Sequence, residues 1–98
     1  MKTEIFLQVL SLVSAKTGIN EQTITSMERT EEALDARAMA VYLCRKCGLT
    51  NKDVRILFGR AGHHFTQRMY DLCESRKQFN RYYSALCAAI SKQLGLNA

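Results

Sequence analysis

The amino-acid sequence predicts an all-α fold, a compact bundle of about five or six helices in one domain that spans residues 1–98. Residues that interrupt helices are scarce, because the chain has no proline and only five glycines. Hydrophobic residues make up 47% of the chain and recur at helical spacing, so a chain of this length can bury a hydrophobic core. Helix-capping residues between the apolar stretches mark where each helix begins and ends.

The first predicted helix runs from about Thr3 to Thr17. Its apolar side chains repeat at helical spacing and are Ile5, Phe6, Val9, Leu10, Leu12 and Val13. Gly18 follows, and a glycine can take the left-handed conformation that ends a helix. Asn20 then predicts the start of a short helix over residues 21–26, because an asparagine side chain can accept a hydrogen bond from a free backbone N–H.

A third predicted helix forms the centre of the core. Thr30 is a suitable N-cap, and Glu31 and Glu32 lie where the helix dipole favours negative charge. Its apolar residues at helical spacing are Leu34, Ala38, Val41, Tyr42 and either Cys44 or Cys47. Gly48 ends this helix after about 17 residues.

A short fourth helix is predicted to begin after Thr50. This threonine stands three residues before Asp53, which is a variant of the capping box. In that motif each side chain accepts a hydrogen bond from the backbone N–H of the other residue. The buried face of the helix comprises Val54, Leu57 and Phe58. The sequence therefore predicts a helix of barely two turns.

A turn bracketed by Gly59 and Gly62 follows the short helix, and either His63 or His64 opens the next helix. A core helix, a short helix, a glycine-containing turn and a further helix stand in the order expected of a helix-turn-helix. We therefore predict a helix-turn-helix over about residues 50–76.

The C-terminal third carries a long apolar stripe. Its members are Phe65, Met69, Leu72, Cys73, Phe79, Tyr83, Leu86, Cys87, Ile90 and Leu94. No glycine or proline falls between Gly62 and Gly95, so the sequence permits either one long helix or two. Ser75 and Asn80 are suitable caps and favour two helices, over about residues 63–76 and 78–94.

The basic residues are concentrated in the middle of the chain. Between Arg37 and Arg81 there are ten lysines and arginines and three acids, a net charge of +7. Residues 1–36 carry three basic and six acidic residues, a net charge of −3. A basic segment of this kind is typical of a protein that binds a polyanion, and its coincidence with the predicted helix-turn-helix indicates double-stranded DNA.

Two sets of candidate DNA contacts follow from this arrangement. Helix-turn-helix proteins read base edges from the second helix and its preceding turn, where glutamine can pair with adenine and arginine with guanine. The candidate base contacts are Arg60, His63, His64, Thr66, Gln67 and Arg68. The candidate phosphate contacts are Arg45, Lys46, Thr50, Lys52 and Arg55.

The sequence resembles a known family in three segments. These are the helix Arg37-Ala38-Met39-Ala40-Val41-Tyr42-Leu43-Cys44-Arg45, the segment from Thr50 to Phe58-Gly59, and His63-His64-Phe65-Thr66. Together they look like the C-terminal DNA-binding domain of the bacterial replication initiator DnaA, over roughly residues 5–76. The resemblance implies the fold of DnaA domain IV, which is similar to Trp repressor, and sequence-specific binding of duplex DNA. Whether such binding serves replication initiation, transcription regulation or mobile-element maintenance stays open, and we expect a bacterial protein.

The sequence departs from the family signature in the turn. Arg60, Ala61 and Gly62 stand where the family has Gly-Arg-Asp, while His63 aligns with the family's histidine. A shift of one residue would transfer that role to His64. The chain also lacks a phosphate-binding Gly-x-x-x-x-Gly-Lys-Ser/Thr loop, so the resemblance implies a standalone DNA-binding domain without an ATPase module.

Cysteines and histidines also serve as metal ligands and as catalytic groups in proteins. Cys44 and Cys47 have the Cys-x-x-Cys spacing of zinc ligands, but they lie inside a strongly periodic helix. Cys73 and Cys87 fall on apolar stripes, so all four cysteines are predicted to be core thiols. The histidines have no adjacent serine, or cysteine with an acid, that would form a catalytic group. We expect no enzyme activity, metal or cofactor.

The apolar face from Phe79 to Leu94 is consistent with a second function, a protein–protein adaptor or a homodimer interface. The four tyrosines are predicted to lie in the core or at its edge. The alternative to DNA binding is that the basic residues on the helices form ordinary solvated surface. No apolar run reaches membrane-spanning length, and the N-terminal residues do not resemble a secretory signal. We expect a cytoplasmic protein with no membrane partner and no small-molecule substrate.

Overall fold

A computed structural model describes residues 1–96 and contains, within that range, six α-helices and no strand. The helices are α1 (Lys2–Thr17), α2 (Glu21–Thr25), α3 (Glu31–Lys46), α4 (Asn51–Leu57), α5 (Phe65–Phe79) and α6 (Arg81–Gln93). The prediction of an all-α bundle of five or six helices is confirmed. None of these helices combines the length and the apolar composition that crossing a bilayer requires.

Helix α3 lies at the centre of the core. Ten of its 16 residues are buried, and it contacts each of the other five helices. Four of the buried residues are alanines, whose small side chains allow neighbouring helices to approach closely. The other helices contribute fully buried aliphatic side chains, which include Val9, Val13, Ile24, Val54 and Ile90. The prediction of a central core helix is therefore correct.

Four predicted helix caps are present, whereas Ser75, the other cap suggested for the C-terminal segment, lies inside α5 and begins no helix. Asn20, Thr30, Thr50 and Asn80 each accept a hydrogen bond from the backbone N–H three residues further on. The Asp53 carboxylate also accepts a hydrogen bond from the Thr50 backbone N–H, at 3.0 Å, which completes the capping box. Because caps depend on residues adjacent in sequence, these boundaries could be predicted without knowledge of the fold.

The C-terminal segment forms two helices, as the capping residues favoured. Asn80 has extended dihedral angles, φ −135° and ψ 105°, and separates α5 from α6. The start of α5 differs from the prediction, because the helix begins at Phe65 and not at either histidine. His64 occupies the N-cap position without a side-chain capping hydrogen bond.

The predicted apolar face from Phe79 to Leu94 is mostly packed against the core. Tyr83, Cys87 and Ile90 are buried, whereas Phe79 is 81% exposed and Tyr82 is 73% exposed. The expectation that each tyrosine lies at the core or its edge is wrong for Tyr82, and Phe79 of the apolar stripe is exposed because α5 ends at this residue. The structure therefore leaves only a small part of the face that an adaptor would use.

Three of the four cysteines are buried core thiols. Cys44, Cys73 and Cys87 are each at most 1% exposed, and Cys47 is partly exposed. Burial raises the pKa of Cys44 to about 12, because the low-dielectric core disfavours the thiolate. This placement confirms the prediction of core packing for these three residues.

Candidate nucleic-acid interface

Helices α4 and α5 are joined by a turn at residues 58–64 and are fixed to each other by buried contacts. Phe58 is buried, and its ring centroid lies 5.5 Å from that of Phe65 and 5.1 Å from that of Phe6. The Thr66 hydroxyl donates a hydrogen bond to the Asn51 carbonyl oxygen at 3.1 Å. The first turn of α5 is therefore held against the first turn of α4.

Gly59 allows the chain to reverse between these helices. Its φ is +68°, in the left-handed region that side chains with a Cβ atom rarely adopt. The backbone N–H groups of Gly59 and Arg60 donate back to the carbonyl oxygens of Ile56 and Arg55. These hydrogen bonds satisfy the last carbonyl groups of α4, so a glycine is needed here for a specific turn geometry.

Seven basic side chains meet around this turn, apart from the buried Arg37, and are called the basic surface below. They are Arg29, Lys52, Arg55, Arg60, His63, His64 and Arg68. They line two depressions, one beside α4 and one between α5 and the loop that joins α2 to α3, and His63 lines both. No acidic side chain lines either depression. The surface therefore carries five formal positive charges without a carboxylate among its lining residues.

Several cations of the basic surface are available to a ligand. Arg29, Lys52 and Arg68 are exposed, and none forms an ion pair with another residue in the range 1–96. Arg55 is half-buried and lies 3.5 Å from the Arg60 carbonyl oxygen, a long hydrogen bond. Unpaired cations in depressions without acids are what binding to a polyanion requires.

Four of the residues predicted to contact bases from α5 and its preceding turn have exposed side chains. His63, His64, Gln67 and Arg68 are all exposed, as a residue that reaches a base edge must be. The Gln67 amide Nε2 donates to the Asp71 carboxylate at 2.9 Å, one helical turn away. This exposed hydrogen bond is one that water or a ligand can replace.

Thr66 does not reach the surface, contrary to the prediction. Its exposure is 1%, and its hydroxyl donates to the backbone of α4. The face of α5 that meets α4 and α3 includes Thr66 and, seven residues on, the buried Cys73. A residue at this position cannot contact a base while the protein is folded, so the expected base contact is wrong.

Arg60 is turned towards the protein. Its guanidinium donates hydrogen bonds to the Ser26 carbonyl oxygen and the Met27 sulfur, and lies 4.8 Å from the centroid of the Phe65 ring. Partial burial lowers the pKa of Arg60. The side chain therefore holds the α2–α3 loop against the turn, and the prediction of a base contact is corrected to this structural role.

Three predicted phosphate contacts lie apart from the basic surface. The Arg45 guanidinium donates to the Leu49 carbonyl oxygen at 2.8 Å. The Lys46 ammonium lies over the rings of Tyr42 and Tyr70, in a different cleft. Thr50 is exposed, but its hydroxyl and backbone N–H form the capping box of α4. Of the predicted phosphate contacts, only Lys52 and Arg55 line the basic surface.

Two arginines that sequence reasoning did not single out are part of this region. Arg29 lies in the acidic N-terminal third of the chain, and only the fold brings it beside Arg60 and His64. Arg37 is 3% exposed and donates to the carbonyl oxygens of Ile24, Thr23 and Glu28. Nothing in the sequence indicated that Arg29 belongs to this region. Arg37 stands among the alanines of the core helix α3, and this position in the sequence is a sign that the arginine is buried.

The surroundings of the Arg37 guanidinium lower its pKa. Burial lowers the pKa of Arg37, and repulsion by the guanidiniums of Arg60 and Arg29 lowers it further, while Glu28 opposes the change. The hydrogen bonds of Arg37 fix the loop that carries Arg29. A buried arginine thus positions an exposed one.

Comparison of the chain with protein-family models, with curated proteins and with solved structures gives no match. The resemblance to the DnaA domain therefore stays a prediction from the sequence.

Proposed function

We propose that this protein binds double-stranded DNA through the basic surface and the exposed start of α5. The observation that carries the proposal is the convergence of five formal cations and two histidines around one helix start, with no acid among the lining residues. Phosphate neutralisation supplies most of the affinity of such surfaces for DNA. The absence of lining acids removes the repulsion that a phosphate would otherwise meet.

In this proposal α4, the turn and α5 act as a helix-turn-helix. The N-terminal part of α5 enters the major groove, where Gln67 and Arg68 meet base edges, together with His63 and His64 from the turn. Lys52 and Arg55 on α4 contact phosphates, in the position of the first helix of such a motif. The fixed contacts between α4 and α5 support this use, because a rigid pair of helices can present both sets of side chains at once.

Arg29 adds a contact that sequence reasoning did not include. It is exposed on the α2–α3 loop and lines the same depression as His64 and Arg68. In the proposed complex it contacts a phosphate, while Lys52 contacts another from the second depression. Two cations that flank α5 would fix the orientation of the helix on the duplex.

We also propose a biological role for this DNA binding, in replication or transcription control. The resemblance to the DnaA domain favours replication or transcription control in bacterial cytoplasm. The DNA-binding proposal itself does not depend on that family, because it is argued from the placement of charge. The adaptor alternative has less support, since most of its expected apolar face is packed in the core.

The test is binding of the full chain to a fluorescently labelled duplex of mixed sequence at about 50 mM salt. Arg68→Gln and Lys52→Gln should each weaken binding about three- to tenfold, the loss of roughly one phosphate or base contact. Lys16→Gln removes an exposed charge from α1 that lines neither depression, so it is the matched control. Absence of binding, or an equal loss in the control, would refute the proposal.

A further inference from the structure

A second concave site, called the lysine cleft below, lies between α3, α5 and α6. Its volume is about 310 Å³. Its polar lining residues are Tyr42, Lys46, Lys77, Ser84 and Ser91, and Cys87 and Ala88 contribute apolar surface. No residue of the basic surface lines this cleft, so it is a separate site.

Two ammonium groups converge at the cleft on one aromatic ring. The Lys46 nitrogen lies 5.3 Å from the centroid of the Tyr42 ring, and the Lys77 nitrogen lies 4.4 Å from the same centroid. The two nitrogens are therefore less than about 10 Å apart, within reach of one bound anion when flexible lysine side chains adjust. An anion that contacts both ammonium groups would be attracted by two positive charges.

The charges at the cleft are incompletely neutralised by the protein. Within residues 1–96, Lys46 forms no ion pair. The Lys77 ammonium has one carboxylate neighbour, Glu74, at 3.9 Å, which is too long for a good hydrogen bond. Glu74 does not line the cleft. The positive charge that faces the cleft is therefore open to a ligand.

Tyr42 contributes a donor to the same space. Its hydroxyl oxygen accepts a hydrogen bond from the Lys77 ammonium at 2.7 Å. Because a phenol has one proton of its own, that O–H remains able to donate to a ligand. Burial is the largest influence on Tyr42 and raises its pKa, so the phenol keeps this proton at neutral pH.

We propose that the lysine cleft binds the phosphate group of a small phosphorylated compound. Two ammonium groups, a phenol and the hydroxyls of Ser84 and Ser91 can all donate, and no carboxylate lines the cleft. A phosphate has several acceptor oxygens and suits converging donors of this kind. The volume is at the lower end of the range for small-molecule sites, so it can hold a phosphate and a small organic group.

The ligand is bound and not converted, so the expectation that the protein has no small-molecule substrate is not affected. The cleft shares no lining residue with the depressions of the basic surface, and its occupation does not require DNA. Phosphate binding in the cleft is therefore independent of DNA binding. In this proposal Lys46 binds a small phosphorylated ligand and not the DNA phosphate that the sequence had predicted.

The test is a titration of the full, isotope-labelled chain with inorganic phosphate and, separately, with glycerol phosphate, followed by backbone amide chemical shifts. Shifts are expected at Lys77, Ser84 and Ser91 and not at His63. Lys77→Gln and Lys46→Gln should each weaken binding about fivefold or more, the loss of one charge-assisted hydrogen bond, with Lys16→Gln on the exposed face of α1 as the control. Glutamine retains a donor for the Tyr42 hydroxyl, and melting curves of the variants show whether the fold is intact.

Two outcomes would overturn the proposal. In the first, neither compound shifts the cleft residues, or both shift only residues of the basic surface. In the second, Lys77→Gln weakens duplex DNA binding as strongly as Arg68→Gln, which would make the cleft part of a DNA interface that binds backbone phosphates. An unchanged duplex affinity in Lys77→Gln, together with lost phosphate binding, supports a small phosphorylated ligand.

Discussion

The Thr66 hydroxyl donates a hydrogen bond to the backbone carbonyl oxygen of Asn51 at 3.1 Å, and Thr66 is 1% exposed. This bond joins the first turn of α5 to the first turn of α4. The next two residues of the same helical turn, Gln67 and Arg68, are exposed. The buried face of α5 thus meets α4, while the neighbouring face is open to a ligand.

Replacing Thr66 by valine should lower the free energy of unfolding by about 1 kcal/mol, because the hydroxyl is lost while the side-chain volume is kept. Urea denaturation measures this change. The folded variant should bind duplex DNA within about twofold of the parent, since Thr66 is not at the surface. A tenfold loss of DNA affinity with unchanged stability would place Thr66 at the interface after all.

Replacing Gly59 by alanine should destabilise the protein by about 1–2 kcal/mol, because alanine is strained at a φ of +68°. A Cβ atom there meets no other atom within 4 Å, so the cost is conformational and not steric. Gly62 is the matched control, since it has no positive φ and equal space. Equal melting temperatures for Gly59→Ala and Gly62→Ala would contradict the turn geometry.

Replacing Arg37 by lysine should cost about 2–3 kcal/mol, because one ammonium cannot reproduce the planar fork that meets three carbonyl oxygens. Hydrogen exchange should accelerate in α2 and the following loop, which those carbonyl groups belong to. Arg29→Lys, on the exposed part of the same loop, should leave stability unchanged. If the two variants unfold at the same denaturant concentration, Arg37 does not hold the loop.

The Asp53 carboxylate, which forms one half of the capping box, should contribute to stability only above acidic pH. Hydrogen bonds from the Thr50 backbone N–H, and then from the Lys2 ammonium, lower the pKa of Asp53 below its ordinary value of 3.8. A lowered folded-state pKa means that the contribution is complete above pH 3.8 and is lost as the pH falls through the folded-state value. The stability gap between the parent and Asp53→Asn should therefore close in acid. A gap that is constant down to about pH 2 would contradict this.

The parts of the structure that depend on neighbouring residues could be predicted from the sequence. The caps at Asn20, Thr50 and Asn80 are local motifs, and each marks a helix start in the structure. The candidate site could be predicted only in part. Whether a cation on a helix is free depends on residues far along the chain, as the contact between Arg60 and Ser26 illustrates.

The apolar spacing stopped being a guide to burial at the end of α5, where one helix ends and the next begins. Phe79 continues the spacing of its neighbours in sequence, yet it is exposed because α5 ends there. Arg29 could not have been predicted as part of the basic surface, because its sequence neighbours are acidic and the loop is positioned by a buried arginine. Periodicity describes one helix and does not describe how helices are joined.

The salt dependence of duplex DNA binding tests the central proposal most directly. Arg29, Lys52 and Arg55 are the three cations proposed to contact phosphates, so the logarithm of the affinity should fall against the logarithm of salt concentration with a slope of about −3. Lys52→Gln should make this slope shallower by about 1. A slope near zero, or no binding at about 50 mM salt, would contradict the account.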